Sequence, residues 1–221
     1  MILPLHPIPT AFMVDLDGTL VDTLGDFVAV LNRVMADMAL PPVERDFVEH
    51  TIGQGSEHLI RSVLAEAGAP QARYEEAWIL YQRHYEVLNG QHADVFPGVV
   101  EGLEALRALG LPMACLTNKP AAFARELLRR KGLDGYFDRV FGGDDFERKK
   151  PDPLPLLKTC ESMGSAPATT WMIGDSSNDA RAAHAAGCPI ALVSYGYNHG
   201  EPIREVSAQR HIDRLDELLR G

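Results

Sequence analysis

The chain has 221 residues, 46% of them hydrophobic and 24% charged, which allows a substantial buried core and excludes a disordered or fibrous protein. Acidic residues number 31 against 21 basic residues, which gives a formal net charge of -10. Because this charge would repel the phosphates of a nucleic acid and the surface of an anionic membrane, we expect neither as a partner.

The first predicted element is a buried strand at residues 11–16 (AFMVDL), an apolar run that ends in acidic side chains and a glycine. The segment before it, MILPLHPIPT, has no basic start and is interrupted by three prolines, so it is not predicted to be a signal peptide. No apolar run of about 18 residues occurs in the sequence, and we therefore expect a cytoplasmic protein.

Residues 22–95, called the cap segment below, have helical periodicity and no convincing strand. Prolines and glycines divide this stretch, and helices are predicted at residues 24–38, 57–67 and 71–88. We expect the cap segment to be a helical domain inserted after the first strand. Its aromatic stripe is expected to lie in the core of that domain and consists of Trp78, Tyr81 and Tyr85.

From residue 96 onwards, short apolar runs alternate with helical patterns. Strands are predicted at residues 112–117, 136–141, 170–173 and 189–193. This alternation predicts an α/β fold, with a Rossmann-like parallel sheet core built from residues 1–21 and 96–221. The three cysteines have no CxxC spacing and fall in apolar stretches, which predicts buried reduced thiols at Cys115, Cys160 and Cys188.

Acidic side chains follow two of the predicted strands. Asp15 and Asp17 come after the first strand, and Asp175 and Asp179 come after the strand at residues 170–173. Because ligands bind at the carboxyl ends of parallel strands, these acids are expected to share one cleft, where they would repel each other without a cation. Each could instead cap the helix that follows it, but four together favour a Mg²⁺ site with oxygen ligands.

Thr117 and Lys150 also fall at this edge of the predicted sheet. A hydroxyl and an ammonium group are the two kinds of donor that hold and neutralise a phosphoryl oxygen. Taken singly, Thr117 could be a helix cap and Lys150 an exposed surface lysine. The eight histidines have no metal-ligand spacing, so no zinc site is predicted.

In order and spacing, these strand-end segments resemble the motifs of the haloacid dehalogenase superfamily, and the resemblance covers nearly the whole chain. Further segments look like those of bacterial phosphoglycolate phosphatases. They are LTNKP (116–120), GGDD (142–145), KKPDPLPLL (149–157), AAGCP (185–189), YGYNHGE (195–201) and the cap stretch TIGQG (51–55). The resemblance implies a Mg²⁺-dependent phosphatase that hydrolyses 2-phosphoglycolate, a small phosphate ester.

The resemblance also implies roles for the acids. Asp15 would be the nucleophile, forming an aspartyl phosphate, and Asp17 would be the general acid and then the general base. Asp15, the backbone carbonyl of Asp17 and the Asp175 carboxylate would hold Mg²⁺. Asp179 would orient Lys150 or a metal-bound water from outside the ligand set.

The remaining implied roles concern the substrate. Thr117, the Asn118 backbone amide and Lys150 would hold the phosphoryl oxygens. The carboxylate of the substrate would be met by the cap loop at Gly53, Gln54 and Gly55, with Arg61 a weaker candidate.

Several alternatives stay open at this point. The substrate could be another small phosphate ester or pyrophosphate, or the chain could be a sugar phosphate mutase of the same superfamily. A dehalogenase would lack a carboxylic acid at position 17. A phosphate-accepting receiver domain needs only about 120 residues and has no large helical insert. The sequence is compatible with a monomer or a homodimer.

Overall fold

The computed structural model describes residues 5–220. Residues 1–4 of the N-terminal segment and residue 221, all of which belong to the predicted core, lie outside the described part. Its main sheet has six strands, all paired in parallel, and the predicted α/β fold is confirmed. In chain order these strands are β1 (Ala11–Val14), β4 (Met113–Leu116), β5 (Arg139–Phe141), β6 (Thr170–Gly174), β7 (Ile190–Val193) and β8 (Arg210–Ile212).

The strand order across the sheet is β5-β4-β1-β6-β7-β8, so the first strand lies near the centre. Every residue of β1 is buried, because helices cover both faces of the sheet and leave no solvated side. The covering helices are α5 (Val99–Arg107), α6 (Ala121–Arg130), α7 (Leu154–Met163) and α8 (Ser177–Ala186).

The cap segment contains helices α1 (Leu24–Asp37), α2 (Arg45–Thr51), α3 (Ser56–Glu66) and α4 (Tyr74–Leu88). Their apolar faces form one hydrophobic cluster, which Tyr197 and Phe123 from the later part of the chain also contact and which is separate from the clusters on the two sides of the sheet. Tyr81 and Tyr85 are fully buried in this cluster, with ring centroids 5.2 Å apart, and Trp78 stacks on Tyr81. The prediction that this stripe lies in the core of the helical segment is confirmed.

A short antiparallel ribbon joins the cap segment to the main sheet. It consists of β2 (Val21–Asp22) and β3 (Asp94–Val95), and it lies where the predicted domain limits fall. Asp26, buried on α1, accepts hydrogen bonds from the backbone amides of Gly90 (2.5 Å) and His92 (2.7 Å) and so holds the returning chain against α1. The division into two domains stays a prediction.

The sequence patterns missed several short elements. They did not identify α2, β8 or the ribbon, and the strand predicted at residues 136–141 begins only at Arg139, after a single 3-10 turn at Asp134–Tyr136. These elements are too short to show a periodic pattern. All three cysteines are buried and unpaired, as predicted. No helix among residues 5–220 has the length and apolar character needed to cross a membrane.

Candidate active site

The carboxyl ends of the central strands bring the predicted site residues to one edge of the sheet. Asp15 directly follows β1, Thr117 follows β4, and Asp175 follows β6. Backbone hydrogen bonds from Asp15 N to Ile173 O (2.9 Å) and from Thr117 N to Phe141 O (3.0 Å) continue the ladders one residue past the strands. The backbone of Asp15 and Thr117 is therefore fixed by the sheet, at the edge where ligands bind to parallel sheets.

Three carboxylates, those of Asp15, Asp175 and Asp179, place one oxygen each within 4.8 Å of one another. All three residues are buried. The Asp17 side chain lies outside this cluster, because its Oδ1 is bound by Lys119 Nζ at 2.9 Å. The cluster thus contains three of the four acids that the sequence placed in one cleft.

Asp175 is held by groups from two parts of the chain. Its Oδ1 accepts from the Thr19 hydroxyl (2.9 Å), and its Oδ2 accepts from the Tyr197 backbone amide (2.6 Å). Gly18 and Gly196 are required beside it, since a Cβ atom on either glycine would overlap Asp175. The carboxylate is therefore fixed in orientation, while each oxygen keeps room for a further electrophilic partner.

Asp179 has both oxygens committed within the protein. Its Oδ2 accepts from the Ser176 amide (3.2 Å) and the Ser176 hydroxyl (2.8 Å), which completes a capping box at the start of α8. Its Oδ1 accepts from Lys150 Nζ at 2.7 Å. Although Asp179 is close enough to share a cation with Asp15 and Asp175, these bonds favour a role in orienting Lys150.

Lys150 is a buried ammonium group surrounded by acceptors. Its Nζ donates to the Leu116 carbonyl (2.8 Å) and to Asp179, and it lies 2.9 Å from Asp15 Oδ1. Burial disfavours the charged form, but the Asp15 and Asp179 carboxylates outweigh it and raise the pKa of Lys150. The side chain is therefore a fixed positive charge beside Asp15.

The acidic cluster carries more negative charge than its protein partners neutralise. Burial raises the pKa of Asp15 to about 7 against the pull of Lys150, and burial with repulsion from Asp179 and Asp15 raises the pKa of Asp175 well above its usual range. Asp15 Oδ1 is buried yet accepts no well-aligned hydrogen bond. Three carboxylates facing one ammonium fit a divalent cation, whose charge would let Asp15 and Asp175 ionise at neutral pH.

A small cavity of about 30 Å³ is lined in part by Asp15. The main sheet contributes Asp15, Asp17, Thr117, Asn118 and Lys119 to its wall, and the cap segment contributes Phe27, Ile52, Gly53, Gly55, Ser56 and Leu59. Of the predicted cap loop, Gly53 and Gly55 therefore reach the cavity. Gln54 is exposed and faces an outer groove together with Arg61, which is paired with Glu57 at 2.9 Å.

Asn118 has a structural role that the sequence did not indicate. Its side-chain amide donates to the Gly53 carbonyl (2.9 Å) and the Lys150 carbonyl (2.8 Å), and its Oδ1 accepts from the Lys150 amide (3.0 Å). The side chain thus ties the cap loop and the peptide of Lys150 to the end of β4. Only its backbone amide had been assigned a role.

Lys119 is a second buried ammonium group that the sequence analysis did not select. Its Nζ donates to Asp17 Oδ1 (2.9 Å) and to the Tyr85 hydroxyl (2.5 Å). It also lies over the rings of Phe27 and Tyr85, 4.5 and 4.7 Å from their centroids. Its position directly after Thr117 and Asn118, at the end of a strand, is the sequence feature that could have identified Lys119 as a site residue.

The sequence of this chain is similar to a known family of hydrolases and to individual phosphatases. Residues 12–193 match the sequence profile of the haloacid dehalogenase-like hydrolases. The phosphoglycolate phosphatase of Thiobacillus denitrificans is 42% identical over 215 residues, which is 96% of this chain and 95% of that protein. The phosphoglycolate phosphatase of Nitrosospira multiformis is 41% identical over 218 residues, 97% of this chain and 96% of that protein.

Solved structures agree with this comparison. The crystal structure of a predicted phosphoglycolate phosphatase from Haemophilus somnus 129pt superimposes with a TM-score of 0.92 at 30% sequence identity. The match covers 96% of each chain, so it includes the sheet, the cap segment and the edge that carries the acidic cluster.

The three hydrogen bonds of the Asn118 side chain generate a testable prediction. Asn118→Ala removes them and leaves the Lys150 peptide groups without partners, so the free energy of unfolding should fall by about 2–3 kcal/mol. Urea denaturation followed by circular dichroism measures this change. Gln54→Ala, at an exposed position of the cap loop, is the control and should stay within about 0.5 kcal/mol of the original protein. Equal effects of the two substitutions would contradict the role of the Asn118 side chain in holding the cap loop and the Lys150 peptide.

Proposed function

The chain belongs to the haloacid dehalogenase-like hydrolase family, and from this we propose that it hydrolyses 2-phosphoglycolate to glycolate and phosphate. Relatives that carry this activity in their names align with it over nearly their full length. The observation that carries the proposal is buried Asp15, which lines a small cavity and whose Oδ1 lies 2.9 Å from Lys150 Nζ.

We propose Mg²⁺ as the divalent cation of this site. The Asp15 and Asp175 carboxylates and the backbone carbonyl of Asp17 would hold it, while Asp179 stays engaged with Lys150 and Ser176. Oxygen ligands in a compact acidic cluster suit a small hard cation. When bound, Mg²⁺ would supply positive charge that orients and screens the oxygens of the phosphoryl group.

In the proposed mechanism, a carboxylate oxygen of Asp15 attacks phosphorus and forms an aspartyl phosphate as the ester bond to the leaving oxygen breaks. Asp17, which lines the cavity, gives its proton to that oxygen and releases glycolate. Asp17 then takes a proton from the water that attacks the aspartyl phosphate. This second step frees phosphate and restores Asp15.

The phosphoryl oxygens need fixed positive partners while these bonds change. Lys150, the Thr117 hydroxyl and the Asn118 backbone amide are proposed to supply them, since all three lie at the end of β4 or beside Asp15. Because Asp179, Asp15 and the Leu116 carbonyl hold Lys150, its charge needs little reorganisation during the reaction.

We further propose that residues 22–95 act as a cap domain over a core of residues 1–21 and 96–221. The separate hydrophobic cluster of the cap segment and the narrow ribbon that joins it to the sheet support this division. A cap that closes over the strand ends would exclude water from the aspartyl phosphate and limit the size of the substrate. The cytoplasmic location and the monomeric or homodimeric state stay predictions.

The nucleophile is tested by Asp15→Asn. The amide has nearly the same shape but is a far poorer nucleophile, so turnover of any phosphate ester should fall below about 1% of the original rate. Initial-rate assays measure this fall, and thermal unfolding verifies that the variant is folded. Asp46→Asn, at an exposed position of α2, is the control. Turnover well above that level would assign the attack to water instead.

The metal is tested through protein stability. Because burial raises the pKa of Asp15 from its ordinary 3.8 to about 7, folded metal-free protein binds more protons than unfolded protein in this interval. The contribution of this group to metal-free stability therefore falls as pH rises from about 4 to 7. A cation must displace these protons, so millimolar Mg²⁺ should raise Tm more at pH 8 than at pH 5.5.

Calorimetric scans with and without MgCl2 at both pH values measure this difference, which removes the contribution of titrating groups that the cation does not contact. Asp175→Asn should reduce the Mg²⁺ effect at pH 8. An equal rise in Tm at the two pH values would place the cation away from Asp15.

The substrate is tested with a panel of phosphate esters. Because the cavity is small, kcat/KM should be at least about tenfold higher for 2-phosphoglycolate than for the bulkier esters glucose 6-phosphate or a nucleoside monophosphate. Phosphate release under subsaturating conditions measures the ratios. If a larger ester is cleaved as well, the phosphoglycolate assignment fails and a capped phosphatase of another substrate remains.

A further inference from the structure

We propose that Lys119 recognises the carboxylate of the substrate and so selects phosphate esters that carry a second negative charge on the leaving group. This inference deepens the proposed function and rests on it. It is an alternative to the expectation that backbone N–H groups of the cap loop, or Arg61, meet this carboxylate. Lys119 is part of the cavity wall together with Asp15 and Asp17, so it shares one cavity with the proposed nucleophile and acid.

The surroundings of Lys119 keep its charge available inside the cavity. The side chain is 2% exposed, and its Nζ is bound by Asp17 Oδ1 and the Tyr85 hydroxyl, between the rings of Phe27 and Tyr85. Asp17 is thus its anionic partner among the described residues. An ammonium group has three donors, and at this buried position an additional carboxylate would bind it more strongly than in water.

Other cations near the cavity are less well placed. Lys150 is already engaged by Asp15, Asp179 and the Leu116 carbonyl. Arg61 is bound to Glu57 and stacks over the Tyr74 ring, and it faces the outer groove.

The remaining candidates lie at the edge of the cavity. Lys149 faces the outer groove beside Gly55. The Gly53 carbonyl, which accepts from Asn118, would repel a carboxylate. Among the residues that line the cavity, Lys119 is the one with a positive charge.

The two-carbon skeleton of 2-phosphoglycolate keeps its carboxylate close to its ester oxygen. The phosphoryl group must lie between Asp15 and the donors at Lys150 and Thr117, which places the leaving oxygen next to Asp17. In 2-phosphoglycolate the carboxylate carbon is only two bonds from that oxygen. Lys119 Nζ lies 2.9 Å from Asp17 Oδ1, and both residues line the same cavity. The carboxylate and Lys119 are therefore brought together when the ester oxygen reaches Asp17.

The test compares two esters that differ at one group. 2-Hydroxyethyl phosphate has the two-carbon skeleton of 2-phosphoglycolate with a hydroxymethyl group in place of the carboxylate. We expect the original protein to prefer 2-phosphoglycolate in kcat/KM, and Lys119→Met to reduce this preference about 10- to 100-fold. Methionine has a similar length and no charge, so the ratio of the two esters separates charge recognition from any general effect on Asp17.

Two further variants sharpen the comparison. Lys119→Arg keeps the charge and should retain more of the preference than Lys119→Met does, provided that thermal unfolding shows both variants folded. Lys149→Met removes a nearby lysine of the outer groove and should leave the ratio within about twofold. Competition by glycolate against 2-hydroxyethyl phosphate gives a readout independent of phosphoglycolate turnover, and Lys119→Met should weaken it.

Several outcomes would overturn the proposal. One is an equal loss of kcat/KM for both esters in Lys119→Met, which would mean that Lys119 acts only through Asp17. Another is an original protein that cleaves both two-carbon esters equally well. Neither result affects the proposed function, which depends on the comparison with glucose 6-phosphate and nucleotides. Conversely, if a larger ester has the highest kcat/KM in that panel, the proposed function fails. The ratio of kcat/KM for the two-carbon esters then still measures whether Lys119 recognises a carboxylate.

Discussion

The arrangement of the site depends on the buried ammonium group of Lys150. It joins three segments that are far apart in the sequence: the end of β4 through the Leu116 carbonyl, the end of β1 through Asp15, and the start of α8 through Asp179. A buried charge is tolerated only when such partners surround it, so each partner also fixes the others. The same contacts of Lys150 therefore position the proposed nucleophile and stabilise this edge of the sheet.

The same edge of the sheet is mechanically linked to the cap segment. The Tyr197 amide holds Asp175 Oδ2, while its hydroxyl is hydrogen bonded to Asp22 and to the amide of Leu24, where α1 begins. The Asn118 side chain makes a second link, from the cap loop at Gly53 to the Lys150 peptide. Movement of the cap segment would therefore shift both the acidic cluster and Lys150.

The sequence predicted the fold and the polar strand ends because both follow from local pattern. Asp15, Thr117 and Asp175 stand directly after apolar runs, and parallel strands bring such positions together whatever the details of packing. Lys119 and Gln54 could not be assigned this way. Their long side chains can reach either side of the chain, and only tertiary contacts decide that Lys119 points into the cavity while Gln54 points out. Short elements such as α2 and β8 escaped because they span too few residues to show a period.

Two buried lysines resolve the apparent conflict between a net charge of -10 and an anionic substrate. Lys150 pairs with Asp15, where phosphorus would bind, and Lys119 pairs with Asp17, where the leaving group would lie. Each positive charge is thus matched to one acid of the Asp15 and Asp17 pair, and neither contributes to the surface. Because both ammonium groups are buried, each charge lies in a setting of low dielectric constant, where its attraction for an anion that reaches it is stronger than in water.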